Sequence, residues 1–85
     1  MANAMTYWST DNDGKVCLPL GGRASRRALR GMGISAENRA KPGDKPLWGV
    51  TVTASGASIW KCVGAGYCRD MAEDAAAELR EFARA

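Results

Sequence analysis

Apolar positions in the last third of the chain recur at three- and four-residue spacing. Cys68, Met71, Ala72, Ala75, Ala76, Leu79, Phe82 and Ala83 fall on one side of a helix, and Arg69, Asp70, Glu73, Asp74, Arg80, Glu81 and Arg84 on the other. Asp70 and Glu73, three residues apart, suit a capped first turn, while Arg80 and Arg84 suit the negative end of the helix dipole. Alanines at 72, 75 and 76 leave little side chain between this helix and whatever it covers, so it is expected to lie close on a sheet. The acids Asp70, Glu73, Asp74, Glu78 and Glu81 read as a solvated face.

Upstream the period changes from 3.6 to 2. Two runs rich in β-branched residues, LWGVTVTA and ASIWKCV, flank Ser55-Gly56, and a two-residue loop with glycine supplies the positive φ of a tight hairpin. In that register Trp48, Val50, Val52, Ile59 and Val63 share one face, and Thr51, Thr53, Ser58, Trp60 and Cys62 the other. Trp60 is then on the side away from the helix, and a slip of one residue would bury it instead. Two readings of Trp60 stay open: part of the core or a second small cluster, or a contact residue. Gly64-Ala65-Gly66 reads as the turn from strand into helix; a dinucleotide loop would need a third glycine where Arg69 stands, and a parallel strand to follow.

The first half is less regular. Residues 6–20 suggest a hairpin turning at Asp13-Gly14 and ended by Pro19 and Gly21-Gly22. Residues 23–32 predict a short helix stopped by Gly31 and Gly33, with Arg23, Arg26, Arg27 and Arg30 along one stripe and Ala24, Ala28, Leu29 and Met32 opposite. Residues 35–46, polar and holding two prolines, read as a loop or short turn of helix. The expected fold is α+β, a small antiparallel sheet of two hairpins with helices packed on one face in the order β-β-α-β-β-α.

Composition narrows the function. At 85 residues the chain is one domain, 1–85, too small to add a cofactor domain to a substrate domain. No apolar run nears the ~20 residues of a membrane span, and MANAMTYW has no basic-then-apolar leader, so the chain reads as soluble and cytoplasmic with no membrane partner. Cys17, Cys62 and Cys68 are odd in number and widely spaced; with no histidine they form neither a disulfide framework nor a zinc set, and no metal or cofactor is expected. Asp11, Asn12, Asp13 and Gly14 open like a calcium loop but lack its later ligands, so they read as a turn. Without histidine the usual general base is missing, and a catalytic role is not expected.

Charge is shared unevenly. Residues 21–46 hold seven Lys or Arg against two acids, a net of +5, and residues 67–85 hold three against five, a net of −2. The middle segment is the expected anion-seeking surface. Four arginines on one stripe with no interleaved glutamate are either a solvated face or a surface for phosphates or carboxylates. Arg23, Arg26, Arg27 and Arg30, helped by Arg39, Lys41 and Lys45, are the expected contacts to a nucleic acid or nucleoprotein complex. The alternative is an inhibitor or adaptor that docks on an acidic protein surface, with Trp60, Trp8 or Tyr7 as aromatic anchors. Exposed edge strands can support a homodimer.

Two resemblances accompany these patterns. The segment WGVTVTASGASIWKCVGAGYCRDMAEDAAAELREF resembles the C-terminal half of a double-stranded-RNA-binding domain, and the hairpin-helix of AP2-type and phage integrase arm-type DNA-binding domains. Asp70, Glu73 and Asp74 stand where the double-stranded-RNA-binding pattern carries basic residues. In kind, a compact chain of uneven charge resembles the small phage-encoded inhibitors of bacterial defence, anti-CRISPR proteins among them. That resemblance implies protein-directed inhibition.

Overall fold

The fold was obtained as a computed structural model that describes residues 5–19, 22–63, 66 and 68–85. It is an α+β arrangement of antiparallel strands and two helices: β1 (Val16–Cys17), β2 (Arg23–Ala24), α1 (Arg26–Arg30), β3 (Gly33–Asn38), β4 (Trp48–Ala54), β5 (Ala57–Cys62) and α2 (Arg69–Arg84). β1 and β2 form a two-stranded ribbon, and the larger sheet has the order β3-β4-β5.

The β4–β5 hairpin turns at the expected place. Ala54 pairs with Ala57, and Ser55 and Gly56 both take positive φ, 50° and 83°, as the favoured two-residue turn requires. Val52 pairs with Ile59 and Thr51 with Trp60, so Trp60 is on the face away from α2. Strand β3 is where the loop reading of residues 35–46 fails for its first four residues. Ile34 and Ala36 sit opposite Val52 and Val50, which continues the apolar row across a third strand. Ser35, Glu37 and Asn38 concealed it because only alternate positions of a one-sided sheet need be apolar.

α2 lies against β3 and β4 and buries Ala72, Ala75, Ala76, Leu79, Phe82 and Ala83. Met71 and Cys68, assigned to that face by periodicity, are exposed. Cys68 is the N-cap, and no side chain caps the helix there, so the expected Asp70–Glu73 cap does not form.

Two further expectations are corrected. The helix predicted over residues 23–32 is only Arg26–Arg30, because Arg23 and Ala24 pair with Cys17 and Val16 instead. Ser25 caps it, its hydroxyl accepting from the Ala28 N–H at 3.1 Å. The hairpin predicted over residues 6–20 shrinks to a single Thr10–Val16 bridge around the Asp13-Gly14 turn. Leu20 and Gly21, at the end of the predicted first hairpin, and Gly64 and Ala65, in the predicted turn from strand into helix, lie outside the described residues.

The segment before that turn is a strap over α2. The Thr6 and Tyr7 N–H groups donate to the two Glu78 carboxylate oxygens at 3.0 and 2.9 Å. Trp8 is buried, and its Nε1 donates to the Ala75 carbonyl at 2.9 Å. Glu78 therefore anchors the strap and is not part of a solvated acidic face. Trp8 is core, so it cannot be an interface anchor, and Tyr7 is half-buried against it.

Candidate nucleic-acid interface

The four arginines expected on one stripe have three different surroundings. Arg23, on β2, is ion-paired with Asp11 at 2.9 Å. The Asp11 carboxyl is held below the usual carboxylate range, first by the Lys15 N–H it accepts, then by the Asp13 N–H and by Arg23. Arg26 and Arg30, one turn apart on α1, both reach the C-terminal end of α2. Arg26 Nη1 donates to the Phe82 carbonyl at 3.3 Å with its guanidinium 4.2 Å from the Phe82 ring centroid, and Arg30 Nε donates to the Ala83 carbonyl at 2.6 Å. The last carbonyls of a helix lack intrahelical partners and carry its partial negative charge, so two guanidinium groups there satisfy both needs. Arg27 is exposed and makes no hydrogen bond or ion pair among the described residues.

Arg80 and Arg84 join this end of the molecule from α2. Arg80 Nε donates to the Ile34 carbonyl on β3 at 3.2 Å, which fastens helix to sheet and places its guanidinium near Arg30. Arg30, Arg80 and Arg84 rim a cleft of about 340 Å³ floored by Leu29, Ile34 and Ala83. Arg30 and Arg80 spend Nε on backbone oxygen, and these bonds leave the paired terminal nitrogens unused. Among the described residues no acid pairs with Arg26, Arg27, Arg30, Arg80 or Arg84. Sequence periodicity had placed Arg80 and Arg84 among the acids of α2. Only the docking of α1 against the end of α2 brings Arg26 and Arg30 to the end of the molecule that holds Arg80 and Arg84.

The remaining basic candidates lie at the other end of β3, roughly 20 Å away at ~3.3 Å per residue. Arg39, Lys41 and Lys45 belong to the segment between β3 and β4, where they line a shallow depression with Asp44 and Leu47. The two basic groups are therefore not one surface.

Trp60 adjoins the second group. Its ring lies over Gly49, where a side chain would not fit: a Cβ there would come within 2.5 Å of Trp60 Cε2. Nε1 reaches the Glu37 carbonyl at 3.3 Å, and the Arg39 guanidinium is 5.7 Å from the ring centroid. Beside it Thr51, buried, donates its hydroxyl to Glu37, and Arg39 approaches the same carboxylate at 3.4 Å. The Thr51 hydroxyl, and after it Arg39, hold the Glu37 carboxyl below the usual range. Trp60 is half-buried, in a cluster on the outer face of the sheet.

Among the described residues no group of three or more His, Cys, Asp or Glu gathers as a metal site, and no helix is long and apolar enough to cross a membrane. Compared with protein-family models, curated proteins and solved structures, the chain matches none.

Proposed function

We propose that this is a non-enzymatic protein that binds a nucleic acid or nucleoprotein complex through the arginine surface where α1 meets the end of α2. The observation that carries the reading is the meeting of Arg26, Arg30, Arg80 and Arg84 at the end of α2, with the exposed Arg27 on the same short helix and no acidic partner for any of them among the described residues. Arginines that repel one another are held together by the carbonyls of α2 and β3. A guanidinium anchored through Nε presents a planar pair of donors that fits a phosphate's oxygens. Arg27 and Arg84 are exposed and serve as sequence-independent phosphate contacts.

The test is fluorescence anisotropy with labelled DNA and RNA across a salt series. Affinity should fall steeply with salt, and Arg27→Ala with Arg84→Ala should weaken binding to all sequences about equally and flatten the salt slope by about two. Binding that ignores salt and both substitutions would end the proposal.

A second reading is docking on an acidic protein surface, as an inhibitor or adaptor. It is favoured by the apolar floor of the cleft, Leu29, Ile34 and Ala83, which a phosphate backbone does not need. That reading expects a complex that survives nuclease treatment and is lost in Arg30→Glu.

A further inference from the structure

We infer that Trp60 is a stacking platform for an unpaired nucleobase, so that the second basic group engages single-stranded nucleic acid. The inference rests on the nucleic-acid reading and adds a second contact to it. One face of the three-stranded sheet is covered by α2, whereas Ser35, Thr53 and Ser58 on the other are exposed. Within that open face Trp60 is the sole aromatic side chain of β3, β4 and β5, since Trp48 alternates to the opposite side.

The ring is built into place. Gly49 on the neighbouring strand removes the side chain that would lift it, and Nε1 is tied to the Glu37 carbonyl on the strand beyond. An indole fixed in this way loses little conformational entropy when it stacks on a ligand. Arg39 lies over the ring, 5.7 Å from its centroid, so a base stacks on the indole by displacing that guanidinium toward the phosphate. Arg39 supplies a cation at the ring and the exposed Lys41 a second one two residues along the chain, and Glu37 adds little repulsion because Thr51 and Arg39 already engage its carboxylate. A flat ring flanked by cations suits a base and the phosphate that follows it, the combination by which single strands are held without sequence preference. A duplex keeps its bases stacked on each other and offers none to Trp60.

The experiment measures the full chain against a labelled poly(dT) strand of about ten nucleotides, within the usual site sizes, and against a duplex of the same length. Trp60→Leu, which still covers Gly49 but has no aromatic face, should weaken single-strand binding by about 5- to 150-fold, the span of base–aromatic stacking. Duplex affinity and the salt slope should be unchanged, and Trp60→Phe should restore part of the loss. In the unsubstituted protein, adding the strand should shift the Trp60 indole N–H resonance and leave that of buried Trp8 in place. This holds whether or not Trp60→Leu folds well. Single-strand binding that neither moves the Trp60 resonance nor depends on the ring overturns the platform and leaves the arginine surface standing. Absence of binding to either probe overturns both.

Discussion

Gly49→Ala should be among the most damaging single-methyl changes available to this protein. A Cβ on Gly49 would lie 2.2 Å from the Lys61 carbonyl oxygen and 2.5 and 2.7 Å from Trp60 Cε2 and Cζ2. The first obstacle is backbone of the adjoining strand, and Lys61 is paired with Val50 in the β4–β5 ladder, so relief means distorting that ladder. The second is a ring that can move only by giving up its hydrogen bond to Glu37 and its place beside buried Thr51. Overpacking costs about 1–3 kcal/mol, and two obstacles at once place this change near the top of that range. For a domain of this size 1 kcal/mol corresponds to about 4–8 °C in Tm, so a loss of roughly 12–24 °C is expected. Thermal unfolding followed by far-UV circular dichroism would measure it. Gly33→Ala is the control, a glycine on the same face of the same sheet whose added Cβ would meet nothing nearer than 3.8 Å. Adding Trp60→Gly to Gly49→Ala removes the ring and leaves only the carbonyl clash, which divides the cost between them. A Gly49→Ala protein that melts within a few degrees of its parent would refute the reasoning.

Three other outcomes follow from the contacts around the helices and the open face. Arg30→Ala leaves the Ala83 carbonyl without its guanidinium donor and should cost about 1.5–3 kcal/mol in urea unfolding, the range for hydrogen bonds to charged groups. Arg27→Ala should stay within about 0.5 kcal/mol, and equal losses at the two positions would remove the distinction drawn between them. Trp8→Phe keeps a ring in the core but loses the Nε1 donor to Ala75, an expected loss of about 1–3 kcal/mol by denaturant titration, and no change would mean that bond is not made. Glu37 has a depressed pKa in the folded state, so its contribution is present above the ordinary carboxylate value and is lost as pH falls through the folded-state value. Tm should therefore fall more steeply on acidification in the parent than in Thr51→Val, and superimposable curves would show that the hydroxyl is not the cause.

Much of the fold was legible because local patterns repeat. The α2 face and the Ser55-Gly56 turn are written in periods of 3.6 and 2 and in a glycine requirement, all properties of neighbouring residues. Trp60 is on the outer face because the register of the β4–β5 hairpin puts it there. β3 was less legible, since its apolar content is two small-to-medium side chains, Ile34 and Ala36, whose meaning depends on Val52 and Val50 far along the chain.

The sequence by itself determined the basic middle segment, the helical face of α2 and the turn that sets the hairpin register. The tertiary structure alone decided what each charge does. Arg26 and Arg30 became caps of α2 because its terminal carbonyls need donors, and Arg80 turned to β3 because an edge carbonyl lay within reach. Glu78 left the acidic face because two strap N–H groups needed an acceptor. Hydrogen-bond satisfaction is settled between residues tens of positions apart, and no local period records it.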